Sequence, residues 1–496
     1  MVFALRSGGA AAPLYQQIRD GLRAEVMGGV LPAGSRLPSS RQLARDLGVS
    51  RITVVNAYAE LEAEGLVESR GGAGTFVLAP WEVAEVRAQR RPRAAQPRWQ
   101  AELAAHTRPQ RARALREDAR RAADAAFISF ARARGDARPF PVEEFRRILA
   151  AALEHDRPAC LEYEAAEGYP PLRDAVASYL RQLGVDAAAA DVVITAGAQQ
   201  AIDLLARVLV RPGDRVVVEE PTYPGALDAF ESAGASLVPI PVDREGMRTD
   251  LLRRALAAGA RLVYTVPTFH NPTGAVMSAQ RRHELVALAH ERGLPVVEDD
   301  YLREVRFGSP IPPPLAAFDQ HGNVLHVGSF SKSLLPTLRL GYVVVRGPLR
   351  EQLVALKRVA DAGSSALLQR ALHGFLRSGV LHRHWKRASR LYRRRQAALV
   401  AAMRRHFPAG ARWTAASGGV LTWVRVPDGV SVDALWEEAI AHGVGFAPGS
   451  AFFVEPADQP FIRLNFAALD DEQIERGVAT IGRLMAQQLV ARPIAS

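Results

Sequence analysis

The chain has 496 residues, enough for roughly two to four domains. Its 48% hydrophobic and 23% charged residues are typical of globular proteins and exclude collagen-like and wholly disordered classes. It contains no run of about 18 apolar residues and no signal-peptide core, so we expect a cytoplasmic protein with no membrane partner. A single cysteine, Cys160, excludes an intramolecular disulfide and a multi-cysteine zinc site, and we expect no bound metal.

The formal net charge of +11 raises the question of a polyanionic partner. Residues 1–79 contain 8 arginines against 7 acidic residues, whereas residues 80–126 contain 11 against 6. If the N-terminal part binds DNA, it therefore does so through individually placed arginines rather than through bulk charge.

The N-terminal segment has the pattern of a winged helix-turn-helix. Apolar spacing and end signals predict three helices, Leu14–Gly29, Arg41–Leu47 and Arg51–Glu64. Either serine of the pair at 39–40 can cap the second helix, and Ser50 can cap the third. LVESRGGAGTF, over residues 66–76, predicts two short strands around a glycine-rich tip. Two helices joined by a tight turn and followed by a hairpin are typical of this DNA-binding fold.

In such a fold the third helix enters the major groove with its N-terminus first. Arg51 and Thr53 would then lie near base edges and phosphates, and Ser39 and Arg41 would bind a phosphate at the start of the preceding helix. The backbone can approach the minor groove closely at the tip glycines, Gly71, Gly72 and Gly74. The partner we expect is a double-stranded DNA operator; the alternative is a small helical packing module with no nucleic-acid role.

Residues 80–126 are rich in arginine, alanine and glutamine and are interrupted by prolines. They contain few aromatic or β-branched residues and cannot bury a core, so we interpret them as a linker, partly helical and partly disordered. The positive charge of this linker either contacts DNA phosphates or keeps the segment solvated.

From Phe127 onward, strands and helices alternate, which predicts an α/β domain with a largely parallel sheet. The predicted strands are Asp191–Thr195, Arg215–Glu219, Arg261–Val266, Pro295–Glu298, Val324–Val327 and Leu340–Val345. The predicted helices include Ala198–Leu209, Leu353–Leu372 and Val380–His406. The C-terminal third mixes helices with strands such as Val420–Val426 and Phe461–Phe466, as a smaller α+β domain would.

Only three of the 63 basic residues are lysines: Lys332, Lys357 and Lys386. Because arginine serves elsewhere, a retained lysine is a candidate for amine chemistry that a guanidinium cannot perform. Lys357 and Lys386 each lie beside an arginine in an amphipathic helical stretch and fit ordinary surface lysines.

Lys332 lies just past a predicted strand, in GSFSKSLLPTLRLGY. Ser329 precedes it and Arg339, which can bind a phosphate, follows it. This combination suits a Schiff base with pyridoxal 5′-phosphate (PLP), although a phosphate-site lysine or a surface lysine would have the same local sequence.

Another predicted strand ends in VVEDDY, residues 296–301, with three acids and a phenol. Burying such a cluster is costly unless something cationic faces it, and PLP needs a carboxylate against its pyridinium nitrogen. Asp299 and Tyr301 are two apart on a strand and point to the same side, whereas Asp300 points to the other. We therefore assign Asp299 to the nitrogen and interpret Asp300 as structural or as a helix cap.

Four further motifs complete the set. Asn271 in HNPTG and Tyr301 can hydrogen-bond the phenolic oxygen of PLP. TAGAQQ, over residues 195–200, predicts a strand-to-helix turn whose free N–H groups suit a phosphate. Tyr223 in EEPTYPG can stack on the ring, and Arg463 in FIRLNFA can pair with the carboxylate of a substrate or effector.

Taken together, these motifs resemble a fold-type I, aspartate-aminotransferase-like domain from Phe127 to about Leu489. Tyr163-x4-Gly168-x3-LR and SFSK-x6-R-x-GY belong to the same ordered set. The string from Arg36 to Val77 resembles the GntR-type DNA-binding domain, and nearly the whole chain resembles the MocR subfamily of GntR regulators. The implied domains are 1–79 for DNA binding, 80–126 as the linker and 127–490 for PLP binding.

The resemblance implies Lys332 as the internal aldimine, Asp299 at the pyridine nitrogen and Tyr301 at O3′. It implies a phosphate site formed by Ser329, Arg339 and the turn Gly197–Ala198–Gln199. It also implies a homodimer, in which Tyr163 reaches the phosphate of the neighbouring subunit.

Two functions remain open at this stage. The first is a transcription regulator whose PLP domain senses an amino acid, an amine or PLP itself. The second is a working aminotransferase with an auxiliary DNA-binding module. Many MocR regulators carry HQ[FY]P[ST]G at the O3′ position, but this chain has FHNPTG, as working aminotransferases do. That keeps Asn271 available, so retained catalysis stays open.

Overall fold

The computed structural model describes residues 12–70, 74–78, 121, 126–132, 135–455 and 459–491. The chain divides into two compact units, Met1–Thr107 and Arg108–Ser496. The linker predicted over residues 80–126 lies almost wholly outside the described residues, as do Gly71 and Gly72 at the predicted wing tip.

Three helices and a hairpin form the described part of the N-terminal unit. The elements are α1 (Leu14–Met27), α2 (Ser40–Leu47), α3 (Arg51–Ala63), β1 (Val67–Arg70) and β2 (Gly74–Val77), the two strands being antiparallel. Ser39 caps α2 by accepting from the backbone N–H of Gln42 at 3.2 Å, and Ser50 caps α3 in the same way through Thr53. The predicted winged helix-turn-helix is confirmed, with helix ends within two residues of the expected positions.

The N-terminal unit has its own small core, which the amphipathic faces of the three helices share. Fully buried side chains come from α1 and α3, namely Ile18, Leu22, Val54, Ala57 and Leu61, and the hairpin closes over them with Val67 and Val77. Because α3 turns its buried face inward, Arg51 and Ile52 at its start are left exposed.

An eight-stranded sheet organises the C-terminal unit. Its strands are β4 (Val192–Thr195), β5 (Arg215–Glu220), β6 (Ser236–Asp243), β7 (Gly246–Met247), β8 (Ala260–Thr265), β9 (Val296–Asp300), β10 (Val324–Ser329) and β11 (Gly341–Val344). The spatial order is β4-β11-β10-β9-β8-β5-β6-β7. The pairs from β10 to β6 are parallel, whereas β11 is antiparallel to both neighbours and β7 to β6. The predicted, largely parallel sheet is confirmed.

Helices accompany this sheet, as expected for alternating strands and helices. They are α4 (Val142–His155), α5 (Pro170–Gln182), α6 (Ala198–Leu209), α7 (Pro224–Ser232), α8 (Thr249–Ala257), α9 (Ala279–Arg292), α10 (Gly347–Asp361), α11 (Ala366–Arg377) and α12 (Val380–His406). None of the helices within the described residues has the length and hydropathy that crossing a membrane requires.

A smaller antiparallel sheet with two helices forms the C-terminal third. Its order is β12-β13-β16-β15, from β12 (Arg412–Trp413), β13 (Leu421–Arg425), β15 (Ala447–Pro448) and β16 (Phe461–Asn465). The helices are α13 (Val432–Ala441) and α14 (Asp471–Ala491), and a parallel pair joins β3 (Ile128–Ser129) to β14 (Val444–Gly445).

Two sequence-based predictions about α10 are wrong. The single helix expected over 353–372 is broken, because Ala362 and Gly363 take positive backbone angles (φ 53° and 117°) and Ser365 caps a new helix. Lys357, interpreted as a surface lysine, is fully buried, since α10 turns that side chain inward. Lys386 is exposed, as predicted.

Candidate functional site

The registers of the large sheet bring the predicted motifs to one edge. Asp299 on β9 pairs with Val327 on β10, so the chain leaving β10 toward Lys332 begins beside the acids at the end of β9. On the other side, Thr195 pairs with Gly341, which sets the TAGAQQ turn beside the segment that carries Arg339. Carboxyl ends of parallel strands are where α/β sheets bind ligands.

The three buried acids at the end of β9 differ in how their charges are compensated. Glu298 lies 2.9 Å from Nδ1 of His326 and accepts from the backbone N–H of Leu315 at 2.6 Å. Asp300 accepts from Nε of Arg303 at 2.5 Å. Both carboxylates therefore have a cationic partner, which agrees with the interpretation of Asp300 as structural. Oδ1 of Asp300 has no hydrogen-bond partner among the described residues, so the ion pair with Arg303 is what distinguishes Asp300 from Asp299.

Asp299 is the acid of this cluster that makes no ion pair within the described residues. Its Oδ2 accepts from the hydroxyl of Tyr264 at 2.9 Å, while its buried Oδ1 has no hydrogen-bond partner among those residues. Burial raises the pKa of Asp299 to about 7, because the ionised form is poorly solvated. A carboxylate in this state fits a cationic group at its open oxygen.

Lys332 follows β10 and is largely buried. Desolvation, together with the positive charges of Arg463 and Arg339, lowers the pKa of Lys332 to about 8. No described residue forms a hydrogen bond or ion pair with its ammonium group. Since only a neutral amine is nucleophilic, these surroundings prepare Lys332 for attack on a carbonyl carbon.

The turn between β4 and α6 has the features of a phosphate cradle. Gly197 has φ 94°, and a Cβ built there would lie 3.5 Å from the guanidinium of Arg339. Nη2 of Arg339 donates to the carbonyl of Ala196 at 2.8 Å. Because the first N–H groups of a helix have no intrahelical acceptor, Gly197, Ala198 and Gln199 offer donors beside that arginine.

Ser329 and the side chain of Gln199 have local partners. The hydroxyl of Ser329 accepts from the backbone N–H of Ser331 at 3.2 Å. Nε2 of Gln199 donates to the carbonyl of Gly225 at 2.7 Å, which ties the cradle to the segment carrying Tyr223. A Cβ at Gly225 would lie 2.3 Å from Oε1 of Gln199 and 2.6 Å from the hydroxyl of Tyr223, so a larger residue would have to displace these side chains.

Besides Tyr264, two further tyrosines, Tyr223 and Tyr301, are close enough to Asp299 for its charge to affect their pKa. Burial raises the pKa of Tyr223 to about 12, and the charges of Asp299, Arg463 and Arg339 also act on this phenol. Tyr301 donates its hydroxyl to the carbonyl of Phe269 at 3.0 Å, and burial raises its pKa as well. Both phenols are therefore protonated hydrogen-bond donors at neutral pH.

Arg463 and Asn271 contact each other in the buried interior of the site. Nη1 of Arg463 donates to Oδ1 of Asn271 at 3.1 Å, and Nη2 donates to the carbonyl of Ala131. The guanidinium lies over the ring of Phe452, 4.9 Å from its centroid. A guanidinium forms strong, often bidentate hydrogen bonds with anionic groups. The buried Arg463 therefore suits the carboxylate of a ligand.

Tyr163 is the predicted site residue that this single chain leaves outside the cluster. Its side chain is 93% exposed and belongs to no helix or strand. An exposed tyrosine is available to another subunit, and its assignment to a neighbouring site stays a prediction.

The donor set fits PLP, whose three reactive parts are a basic ring nitrogen, an aldehyde and a phosphate. Asp299 offers an open buried carboxylate for the ring nitrogen, and Lys332 offers an amine of lowered pKa for the aldehyde. The N-terminus of α6 and Arg339 offer donors for the phosphate. The roles themselves stay predictions.

In the N-terminal unit, the predicted DNA contacts lie around the turn between α2 and α3. Arg41, Arg45 and Arg51 line one concave surface there. Nε of Arg51 lies 3.4 Å from the hydroxyl of Ser40, and the hydroxyls of Ser50 and Thr53 are 2.7 Å apart. This surface offers positive charge and hydroxyls at a helix N-terminus, as phosphate binding requires.

The wing adds an arginine that sequence reasoning missed. Gly74 has φ 116°, and a Cβ there would lie 2.5 Å from Nε of Arg36. Glycine is therefore needed at position 74 for its backbone angle. Because the Arg36 side chain lies against Gly74, it is part of the wing. Arg36 directly precedes LPSS, the segment that caps α2, but nothing in the sequence indicates that its side chain lies against the hairpin.

Two features of the cofactor site were also missed. Tyr264, the hydrogen-bond donor to Asp299, lies on the neighbouring strand β8 and carries no local motif. Gln200 accepts from the backbone N–H of Ala196 at 2.7 Å and donates to Asp361 at 2.9 Å. The TAGAQQ string contains Gln200, but only the fold reveals Asp361 as its partner.

Comparisons with known proteins agree with both units. Residues 14–77 match the family model of bacterial regulatory proteins of the gntR family, and residues 136–481 match aminotransferase class I and II. A protein of Rhizobium meliloti named as a probable rhizopine catabolism regulatory protein, MocR, is 35% identical over 95% of this chain and 94% of its own length. The HTH-type transcriptional regulator TauR of Rhodobacter capsulatus is 33% identical over 97% of this chain and 98% of its own.

A solved structure supports the fold of the larger unit. LysN, the α-aminoadipate aminotransferase of Thermus thermophilus, matches with a TM-score of 0.71 at 34% identity, covering 76% of this chain and 96% of that one.

The fold and the site thus define a two-unit protein, a GntR-type winged helix-turn-helix joined to a fold-type I aminotransferase-like domain. The chain belongs to the aminotransferase class I and II family and, within the GntR-type regulators, to the MocR-like group of DNA-binding transcriptional regulators.

Asp299→Asn should lower the affinity for PLP, whereas Asp300→Asn should lower the stability of the protein. Asp299→Asn removes the open carboxylate, so PLP affinity should fall at least about tenfold, roughly 1.4 kcal/mol, while the cofactor-free protein keeps its stability. Asp300→Asn leaves Arg303 buried without its anion, which should cost about 3–5 kcal/mol of stability. Equilibrium dialysis with PLP and denaturant unfolding of the cofactor-free protein measure the two effects. The reverse order would show that the faces of β9 are assigned the wrong way round.

Attachment of PLP to Lys332 should depend on pH with a midpoint near 8. A lowered pKa makes the neutral amine the major form above about pH 8, whereas an ordinary lysine needs a pH above about 10. The initial rate of attachment, trapped by borohydride and located by peptide mapping, should rise between about pH 7 and 9 and then level off. Nα-acetyl-lysine in solution is the reference. A midpoint near that of the free amino acid would contradict the effect of burial.

Proposed function

We propose that this DNA-binding regulator senses an amino acid, an amine or PLP itself through the PLP site at the end of β9 and β10. The cofactor is PLP, consistent with the phosphopyridoxyl-leucine that the solved LysN structure contains. The observation that carries the proposal is the open buried carboxylate of Asp299 at the end of β9, beside the strand β10 that leads to Lys332, whose pKa is lowered. The same chain also has a DNA-binding unit.

Each residue of the site has a distinct task in this proposal. PLP supplies an electrophilic carbon and an electron-withdrawing ring. Asp299 holds the ring nitrogen protonated, and Lys332 supplies the attacking amine. Tyr301 and Asn271 donate hydrogen bonds near the phenolic oxygen, while Tyr223 covers a face of the ring.

The remaining residues bind anions. Ser329, Arg339 and the Gly197–Ala198–Gln199 turn bind the phosphate, and Arg463 binds the carboxylate of an amino-acid effector. An incoming amine competes with Lys332 for the cofactor, which changes the site without requiring turnover. In this proposal, that change in the cofactor site alters the affinity of the DNA-binding unit for its operator.

We further propose a homodimer acting in the cytoplasm, where its operator DNA is found. Tyr163 is exposed in one chain and would complete the phosphate site of the neighbouring subunit. The domain assignments are residues 1–79 for DNA binding, 80–126 as the linker and 127–490 for the cofactor.

A working aminotransferase is the second candidate, and the Asn271–Arg463 contact favours it. FHNPTG is the form of the motif in active enzymes, and its asparagine is held in place by the proposed carboxylate-binding arginine. Purified protein incubated with candidate amino acids separates the two functions. Sustained release of a keto acid indicates an enzyme, whereas an absorbance change without turnover, coupled to altered DNA binding, indicates a sensor.

Arg51→Ala should weaken operator binding while leaving the cofactor site unchanged. The loss should be about 1–3 kcal/mol if Arg51 contacts a guanine, or smaller and uniform across sequences if it contacts a phosphate. Footprinting of the upstream region of its own gene locates the operator, and mobility shift then measures affinity. Arg23→Ala, on α1 and 3.5 Å from Glu64, is the matched control. Full affinity in Arg51→Ala would remove this residue from the interface.

Lys332→Arg should abolish covalent attachment of PLP and the effector response. A guanidinium keeps the positive charge, but with a pKa above about 12 it cannot act as the nucleophile. Borohydride reduction and peptide mapping should find no pyridoxyl group in this variant, and the visible absorbance band of the bound cofactor should be lost. Lys386→Arg, at an exposed lysine, should behave like the wild type. A pyridoxyl group on Lys357, on Lys386 or on no lysine of the wild type would refute the assignment.

A further inference from the structure

Lys357 is a buried lysine that the proposed chemistry does not use. Its side chain is fully buried in α10, and its ammonium donates to both carboxylate oxygens of Asp361, at 3.0 and 2.9 Å. Removing an ammonium from water is costly, so a buried lysine needs an anion with good geometry. The chain retains lysine here although arginine stands at nearly every other basic position.

The ion pair continues into a chain of hydrogen bonds. Oδ2 of Asp361 accepts from Nε2 of Gln200 at 2.9 Å, and Oε1 of Gln200 accepts from the backbone N–H of Ala196 at 2.7 Å. Oδ1 of Asp361 also accepts from the N–H of Gly363 at 2.9 Å. Although burial raises the pKa of Asp361, the hydrogen bonds from Gln200 and Lys357 outweigh it and lower the pKa, so this carboxylate is ionised at neutral pH.

The last member of the chain, Ala196, lies in the turn that precedes α6. Its carbonyl accepts from Arg339 and its N–H donates to Gln200, so both peptide groups of Ala196 are fixed by side chains. The next residue is Gly197, with its positive φ. Glycine has wide conformational freedom, and such a turn keeps one orientation of its N–H groups only if its flanks are fixed.

Gln200 can be oriented in only one way by these two contacts. Asp361 is an acceptor and requires the amide nitrogen of Gln200, while the N–H of Ala196 is a donor and requires the amide oxygen. The Ala196 N–H and the Asp361 carboxylate therefore require the same orientation of Gln200. Lys357 fixes the carboxylate at the far end of this chain by donating to both of its oxygens.

We propose that Lys357 and Asp361 are positioning residues that hold the phosphate-binding turn in its working geometry through Gln200. This inference rests on the proposed PLP site but assigns residues that contact no part of the cofactor. Lysine suits this task because its compact ammonium reaches both oxygens of Asp361 inside a closed space, whereas a guanidinium is larger and planar.

The test compares two ligands that differ only in the phosphate, PLP and pyridoxal. Gln200→Met removes both hydrogen bonds at nearly constant volume, and only the one to Ala196 acts directly on the turn. PLP binding should therefore weaken roughly 2- to 12-fold, the net value of one hydrogen bond. Lys357→Met should weaken PLP binding in the same way, because Asp361 loses the two hydrogen bonds that fix the position of its carboxylate against Gln200. Pyridoxal, which lacks the phosphate, should bind both variants within about twofold of wild type. Lys386→Met is the matched lysine control.

Phosphorus NMR of bound PLP is the second readout, since its chemical shift reports on the phosphate surroundings. It should move in Gln200→Met and stay unchanged in Lys386→Met. Equal weakening of PLP and pyridoxal would mean a general effect on the fold and would overturn the proposal, as would wild-type binding of both ligands by Gln200→Met. If Lys357→Met fails to fold, Asp361→Asn takes its place, because one amide oxygen then replaces the two carboxylate oxygens that Lys357, Gln200 and Gly363 share. This variant should again weaken PLP binding more than pyridoxal binding, and equal weakening of both ligands would overturn the proposal. Failure of the wild type to bind PLP would instead refute the proposed function itself.

Discussion

Three consecutive carboxylates buried at the end of one strand are the constraint on which the cofactor site depends. Each ion loses its hydration, and the protein compensates two of them with a histidine, an arginine and backbone donors. Asp299 alone is left with a phenol as partner, at the carboxyl edge of the sheet. This uneven compensation supports the role proposed for Asp299, because a cationic ring at its open oxygen would offset the cost of burying the carboxylate.

The same principle applies to the cations of the site. Desolvation and the positive charges of Arg463 and Arg339 lower the pKa of Lys332. Lys357 has the opposite surroundings and forms an ion pair with Asp361. The nearest charges of the two lysines therefore differ in sign, which agrees with the different roles proposed for them.

Much of this could be predicted from the sequence, since the motifs are local. SFSK, EDDY and TAGAQQ each lie at the C-terminal end of a strand, and a continuous run of apolar residues is enough to predict such a strand. The serine caps of α2 and α3 predicted the helix boundaries for a similar reason, because a cap acts within three residues. Long-range pairings were out of reach. Tyr264 meets Asp299 only through the register of β8 and β9, and the burial of Lys357 depends on the packing of α10, whose neighbouring arginines suggested an exposed face.

The contacts of Arg463 also bear on how a ligand would fit. Nη1 donates to Asn271, Nη2 donates to the carbonyl of Ala131, and the guanidinium lies over the ring of Phe452. A planar group that is held both at its edge and on its face has little freedom to turn toward ligands of different shape. In the role proposed for Arg463, the distance between the amine and the carboxylate of a ligand would therefore decide how well that ligand fits.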